Sequence, residues 1–136
     1  MKSELRSSCP IAASLDIFGD RWTLLILRDL LLDGRRHFSD FALDEGIATN
    51  VLTDRLSRLV DLGMIQKVAD PEDGRRVVYI PLEPAIELVP ILAEIAAWGL
   101  DNTAVPTTAQ FAPMRDQKSR KAFVRARVAE ARAAIK

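Results

Sequence analysis

The sequence has a single cysteine, Cys9, and a single histidine, His37, among its 136 residues. One cysteine cannot form an internal disulfide, and it cannot build a cysteine-rich zinc site. No apolar run approaches the ~20 residues that cross a bilayer, and the chain does not start with the pattern of a secretory signal. These absences predict a cytoplasmic globular protein that folds without a disulfide or a metal ion.

Catalytic motifs are also missing. No serine, cysteine or aspartate partner motif accompanies His37, and the chain has no glycine-rich loop of the kind that cradles phosphate. A lone histidine in this setting is more often a surface residue or a phosphate contact than a catalytic group. We therefore expect a protein that is not an enzyme and that has no cofactor and no metal site.

Neither sign of charge is in excess, since 19 basic residues balance 19 acidic ones, but the charge is unevenly spread. The segment 113–136 has eight basic and two acidic residues, so it carries +6 and residues 1–112 carry −6. Nucleic-acid-binding domains usually have basic surfaces, so the acidic body favours an alternative class, a protein–protein interaction module. The basic segment could clamp phosphates, or it could pair with the acidic body of a second copy.

Hydrophobic spacing predicts a mainly α protein with a small β-hairpin. Helices are predicted over residues 9–18, 21–32, 38–43, 49–62, 84–100 and 115–135. Pro90 should kink the fifth of them. Strands are predicted over 64–69 and 75–80, joined by a turn at 70–74. A helical core followed by a hairpin is the winged helix-turn-helix arrangement.

The helix predicted over 49–62 combines an apolar stripe, formed by Leu52, Leu56, Leu59 and Val60, with an opposite polar face. Such a face suits the major groove, because asparagine pairs with adenine and arginine with guanine. The candidate DNA contacts on and before this helix are Arg36, His37, Ser39, Thr49, Asn50, Thr53, Asp54, Arg55, Ser57 and Arg58. The alternative is an ordinary amphipathic helix with a solvated face.

Arg75 and Arg76, at the tip of the hairpin, are the second group of candidate DNA contacts. They could hold the sugar-phosphate backbone or enter a minor groove. They could instead pair with Asp70, Glu72 or Asp73, which lie opposite. Surface ion pairs are worth only ~0–1 kcal/mol, so such pairing would not prevent the arginines from turning to DNA.

Cys9 directly precedes Pro10, so its thiol should lie at the N-terminus of the first helix. Exposed N–H groups and the helix dipole favour a thiolate there, and an exposed thiolate could sense oxidants or electrophiles. The alternative is a small apolar residue that happens to begin a helix.

Several separate motifs, in this order and with this spacing, resemble one known family. They are Cys9–Pro10, Gly19–Leu30, Phe38–Phe41, Gly46–Ala48, Asn50–Leu56, Arg58–Val60, Gly63, Leu88–Leu92 and Trp98–Gly99. The sequence from residue 9 to about 101 resembles the HxlR-type winged helix-turn-helix transcriptional regulators.

This resemblance implies a homodimeric bacterial transcription factor, often a repressor, that binds double-stranded DNA at a palindromic operator. Residues 49–62 would enter the major groove, the hairpin would act as the wing, and Cys9 stands where some members sense oxidants or reactive carbonyls. The expected dimer interface comprises Ile11, Leu15, Leu88, Ile91, Leu92, Ile95 and Trp98. The expected regions are a DNA-binding core over 9–82, a dimerisation helix over 83–102 together with 9–18, and a basic C-terminal helix over 113–136.

The chain departs from the family pattern at a few positions. His37 stands where the family usually has arginine, and Ala48 stands where a capping serine or threonine is common, so Thr49 is the alternative cap. The wing reads Asp73–Arg75 in place of a Pro-Pro-Arg stretch, and Pro81 and Leu82 replace Leu-Thr. No residue set marks a small-molecule effector, and the operator is not readable from the sequence.

Overall fold

The computed structural model describes residues 6–135. Residues 1–5, where no secretory signal is predicted, and Lys136, the end of the predicted basic segment, lie outside the described residues. Within residues 6–135 the helices are α1 Pro10–Phe18, α2 Arg21–Leu31, α3 Thr49–Asp61, α4 Glu83–Ile86, α5 Val89–Asn102 and α6 Gln117–Ala133. The strands are β1 Ile65–Ala69 and β2 Val77–Pro81, which pair antiparallel between α3 and α4. None of these helices combines the length and apolar character needed to cross a membrane.

The core lies where α2, α3, the hairpin and α4 meet. Leu27 and Leu30 of α2 are buried against the apolar stripe of α3, in which Leu52, Leu56 and Leu59 are at most 4% exposed. The predicted stripe is therefore confirmed. Because three leucines one turn apart are fixed in the core, the opposite side of α3 must face outward.

Two aspartates begin helices by capping them. Asp20 accepts the Thr23 N–H at 3.1 Å and the Thr23 hydroxyl at 2.6 Å, so α2 starts at Arg21 as predicted. Asp116 accepts the Ser119 N–H at 2.8 Å, so α6 starts at Gln117 and not at the predicted residue 115. An acceptor at the cap satisfies an N–H group that has no partner within the helix.

The helix predicted over 38–43 is wrong beyond its first turn. A single 3₁₀ turn covers Phe38–Asp40, and Ala42 then has a left-handed backbone with φ of 49°. The Ala42 N–H donates to the carboxylate of Asp29 at 2.6 Å instead of to a helical carbonyl. A buried side chain on α2 therefore shapes the turn that leads into α3.

The single kinked helix predicted over 84–100 is two helices, α4 and α5. The chain breaks at residues 87–88, and Pro90 is the second residue of α5. Proline has no N–H to donate, and the first turn of a helix needs no such donor, so Pro90 is accommodated without a kink.

The basic C-terminal segment neutralises acidic residues of its own chain. Arg132 lies 2.6 Å from Glu83 of α4, Arg120 lies 3.0 Å from Glu94 of α5, and Arg115 lies 3.5 Å from Asp101. Arg132 and Arg120 therefore join α6 to α4 and α5, and Arg115 joins the turn before α6 to the end of α5. Neither of the two predicted uses foresaw this role. The exposed cations without an ion pair among residues 6–135 include three of this segment, Lys118, Lys121 and Arg125.

Candidate nucleic-acid interface

The outward side of α3 presents most of the short polar side chains predicted to contact DNA. Its exposed members are Thr49, Asn50, Thr53, Asp54 and Ser57, and Ser39 is exposed on the preceding 3₁₀ turn. Asn50, Thr53, Asp54 and Ser57 point away from the buried leucines, so their direction is set by the packing of the core, and Thr49 is exposed as the first residue of the helix. We call these five residues of α3 the open face.

The N-terminus of α3 has no side-chain cap. Ala48 is the capping residue by its backbone conformation, and no side chain of the described residues accepts an N–H of the first turn. Thr49 is the first helical residue, so it does not take over as the cap. The N–H groups of the first turn remain available to an acceptor from outside, such as a phosphate oxygen.

Arg55 and Arg58, both predicted as DNA contacts, have partners on other elements, Arg55 at the cap of α2 and Arg58 at the end of α1. The Arg55 Nε donates to Asp20 at 2.9 Å, and this hydrogen bond raises the pKa of Arg55 above its ordinary value. Arg58 donates to the carbonyl of Ile17 at 2.8 Å and to that of Asp16. A guanidinium is stabilised there because the last carbonyls of a helix carry partial negative charge. Arg55 also donates to Asp54 of the open face at 2.7 Å, so both arginines have partners within the chain that position α3, and a DNA contact by either stays a prediction.

Arg36 also has partners within the chain, and the DNA contact predicted for it stays a prediction. Its side chain is half-buried and donates to the carbonyls of Leu30 at 2.7 Å and Arg35 at 2.9 Å, while its own carbonyl accepts the Tyr79 N–H at 2.8 Å. Burial lowers the pKa of Arg36 below its ordinary value. Arg36 therefore joins the end of α2 to strand β2.

His37 is tied to the hairpin. Its Nε2 lies 2.8 Å from the Asp70 carboxylate, and its Nδ1 lies 3.8 Å from Asp40. The hydrogen bond from His37 lowers the pKa of Asp70 below its ordinary value. Asp70 thus pairs with His37 and not with the hairpin arginines, so His37 anchors the wing, and its phosphate contact stays a prediction.

We expect Asp70→Asn to destabilise the fold at neutral pH, by an amount that shrinks as the pH falls. A carboxylate whose pKa is lower in the folded than in the unfolded chain stabilises the fold above about pH 4, and this stabilisation is lost as the pH falls through the folded pKa. Urea unfolding of both chains over a pH series measures the difference. Asp61→Asn, at an exposed site, is the control, and a difference for Asp70→Asn that does not vary with pH contradicts the expectation.

The tip of the hairpin exposes two arginines. The side chain of Arg75 is 92% exposed and lies 3.2 Å from Asp73, whereas Arg76 is exposed with no ion pair among the described residues. A surface pair of this kind is worth only about 0–1 kcal/mol. Both arginines can therefore turn to a phosphate at little cost.

A groove of about 420 Å³ separates α3 from the hairpin. Thr53 and Ser57 line one side of it, and Lys67 and Val77 line the other. Lys67 was not among the residues predicted to contact DNA. Its register opposite Tyr79 places it beside α3, and the strand pairing is the signal that could have identified it.

The exposed apolar side chains of the set predicted for the dimer interface lie on α1 and α5. Exposure is 70% for Ile11, and on α5 it is 49% for Ile95 and 65% for Trp98. Leu88 and Leu92, predicted for the same interface, are only 7% exposed because they pack in the core of their own chain. The set predicted for the interface is therefore reduced to Ile11, Leu15, Ile91, Ile95 and Trp98.

Cys9 lies where the sequence predicts it, immediately before α1, and it is exposed. Its carbonyl accepts the Ala13 N–H at 3.0 Å, while its thiol does not cap the helix. The geometry makes the sulfur accessible to a reagent, and a sensing role stays a prediction.

The sequence pattern of the HxlR-like helix-turn-helix family matches residues 17–106. An uncharacterised HTH-type transcriptional regulator of Mycobacterium tuberculosis is 35% identical over 89 residues, which are 65% of this chain and 56% of that relative. The chain thus spans little more than half the length of that protein. The HTH-type regulator YvaP of Bacillus subtilis is 33% identical over 95 residues, which are 68% of this chain and 87% of that relative.

Solved structures give the same fold. PA1607, described as a candidate transcription factor, superposes with a TM-score of 0.67 and 36% identity, covering 76% of this chain and 72% of that chain. A MarR-family candidate regulator from Porphyromonas gingivalis superposes with a TM-score of 0.59 and 30% identity, covering 74% of this chain and 99% of that chain. The winged helix-turn-helix architecture predicted from the sequence is confirmed.

Proposed function

Because this chain belongs to the HxlR-like helix-turn-helix family, we propose that it is a transcriptional regulator that binds double-stranded DNA in a sequence-selective way. The observation that carries the proposal is the open face of α3, held outward by Leu52, Leu56 and Leu59. A major groove about 12 Å wide admits one α-helix, and short polar side chains can then reach the base edges. In this proposal Asn50, whose amide can pair with adenine, and its neighbours supply the selectivity.

The remaining residues fall into two groups, those that would bind the DNA backbone and those that would hold α3 in place. Lys67, in the groove beside α3, and Arg75 and Arg76, at the hairpin tip, would bind phosphates or enter the minor groove. Such contacts fix the register of a protein on the duplex without reading its sequence. Arg55 and Arg58 would act indirectly, by holding α3 against α1 and the cap of α2.

We further propose a homodimer on a palindromic operator. The exposed Ile91, Ile95 and Trp98 lie at spacings of four and three residues on α5, so they share one face of the helix. An exposed apolar face of this kind marks an interaction surface, and a two-fold pair would place two α3 helices about one DNA turn apart. Palindromic half-sites follow from that symmetry.

The expected result for Trp98→Glu combined with Ile95→Glu is a monomer that binds a palindromic duplex more weakly than the unaltered dimer. Two carboxylates would have to be buried in an apolar interface without partners, which is unfavourable. Sedimentation velocity measures the mass. Leu43→Glu is the matched control because Leu43 is 64% exposed on a turn and lies outside the expected interface. A double variant that remains dimeric, or an unaltered chain that is monomeric, would contradict the dimer.

We propose repression as the regulatory outcome. A mobility-shift assay with the DNA upstream of the chain's own gene, at low salt, tests DNA binding. A reporter driven by the same DNA tests the sign, and reporter output should rise when the protein is absent. An unshifted duplex favours the second candidate function, a protein–protein module. The acidic body motivates that candidate, although Arg115, Arg120 and Arg132 already offset part of the acidic charge.

A further inference from the structure

A cavity of about 490 Å³ lies between the end of α2, the C-terminal half of α5 and the connector that follows α5. Its volume is within the range of about 300–1,000 Å³ typical of small-molecule sites. It opens on a different face of α5 from Ile95 and Trp98, because its lining residues on that helix are Ala96, Gly99 and Leu100. Neither the open face of α3 nor the expected dimer surface uses it.

The cavity has one apolar wall and one charged wall. The apolar wall is formed by Ala96, Leu100, Val105, Pro106 and Phe111. The charged wall is formed by Arg28, Asp29, Asp33, Arg35 and Asp44. A largely apolar lining with a few charged groups at one end favours a small molecule that has an apolar body and one polar group.

Both guanidinium groups of the charged wall are already occupied. Arg28 donates to both carboxylate oxygens of Glu45, at 2.8 and 2.9 Å, and to Asp29 at 2.8 Å. Arg35 donates to the Asp40 carbonyl at 2.7 Å and lies 3.9 Å from both Asp29 and Asp33. An acidic ligand would therefore meet no free cation.

The carboxylates of the charged wall have fewer partners of opposite charge than the guanidiniums do. Burial and the neighbouring Asp29 raise the pKa of Asp33, whose best partner is the amide of Gln110. Asp44 is exposed and has no ion pair among residues 6–135. Three carboxylates face two guanidiniums in the lining, and Arg28 must also balance Glu45. The charged wall therefore has an excess of negative charge.

The connector that closes the cavity extends past the family match. Thr108, Gln110 and Phe111 line the cavity, whereas the match ends at residue 106. Phe111 packs against the buried cluster that contains Leu100 and Met114, whereas residues 103–110 of the connector are exposed. The cavity depends on residues that the family pattern does not include.

We propose that this cavity binds a small organic amine, with the apolar body against Leu100 and Phe111 and the ammonium group toward Asp33 and Asp44. An opposite charge in a partly desolvated site stabilises both the ammonium and the carboxylates. The site does not depend on the proposed function, so binding can be measured without DNA.

Three probes with similar phenyl bodies test the charge preference by calorimetry on the full chain. 2-Phenylethylamine is the cation, 2-phenylethanol is the neutral probe and 3-phenylpropanoate is the anion. We expect the amine to bind at least about tenfold more tightly than the alcohol, which corresponds to about 1.4 kcal/mol, and the acid not to bind. Equal affinities for the three probes, or no binding of the amine, would overturn the proposal.

Two variants locate the binding. A Cβ at Gly99 would meet no atom within 4 Å, and replacing a helical glycine favours the helix, so Gly99→Leu should fold while filling the cavity. It should abolish binding of the amine. Asp33→Asn combined with Asp44→Asn should reduce the amine to the affinity of the alcohol, whereas Asp61→Asn, on α3, should leave binding unchanged. Amine binding that survives Gly99→Leu, or that stays tenfold selective in the double variant, would show that this cavity is not the amine site.

Discussion

Replacing Asn50, Thr53 and Ser57 by alanine in one chain should greatly reduce its preference for specific DNA. The preference for a duplex selected for binding to the unaltered chain, relative to a random duplex, should fall by about a hundredfold or more. Removing a side chain that pairs well with a base costs about 1–3 kcal/mol of discrimination, and every ~1.4 kcal/mol is a factor of ten. All three side chains are exposed, and alanine is the best helix former, so the variant should fold. Fluorescence anisotropy with the selected duplex and with a random duplex measures the preference.

The matched comparison is Arg75→Ala with Arg76→Ala at the hairpin tip. If these arginines bind phosphate, both duplexes should lose affinity alike, and the slope of log K against log salt should fall by about 0.9 for each phosphate that is no longer neutralised. The two variants thus separate reading of sequence from binding of the backbone. A triple α3 variant that retains its preference for the selected duplex would rule out the open face as the reading surface.

Asp29→Ala should lower the free energy of unfolding by about 3–5 kcal/mol, the cost of removing one partner from a buried ionic network. The Asp29 side chain is 1% exposed and accepts the Ala42 N–H at 2.6 Å and the Arg28 Nε–H at 2.8 Å. Alanine leaves the buried N–H group without an acceptor and removes one of the two carboxylates bound to Arg28. Because Ala42 belongs to the turn before α3, DNA binding should weaken as well.

Urea unfolding followed by circular dichroism measures this loss. Asp29→Asn keeps one oxygen acceptor and the shape of the side chain, so its loss should be smaller than that of alanine. Asp61→Ala, at an exposed site, should stay within about 0.5 kcal/mol of the unaltered chain. A loss below about 1 kcal/mol for Asp29→Ala would mean that the buried carboxylate is not what holds the turn.

The periodicity of α3 was sufficient to predict which of its sides is buried. Leu52, Leu56 and Leu59 recur at spacings that only a helix brings to one face, and their burial follows from the hydrophobic effect. Local signals also placed the start of α2, because an aspartate before an apolar helix is a strong cap. These features depend on neighbours within a few residues, so the sequence alone contains them.

Roles that depend on distant parts of the chain could not be predicted. Arg58 contacts carbonyls of α1 that lie 41 and 42 residues earlier in the chain. Asp70 hydrogen-bonds to His37, which lies 33 residues earlier. On α5 itself Leu92 is buried and Trp98 is exposed, although the predicted helix suggested one common face for both. Helical spacing gives an angle around one helix but does not say which element packs there.

Site-directed cleavage from α3 tests the central claim most directly. In a Cys9→Ser chain, Asp61→Cys supplies a single thiol on the outward side of α3, to which an iron chelate that cuts DNA can be attached. On the selected duplex we predict two centres of cleavage about 10–10.5 base pairs apart, one from each α3 of a dimer. A single centre, or diffuse cutting no different from that of a Leu43→Cys conjugate, would contradict the placement of two α3 helices in the major groove.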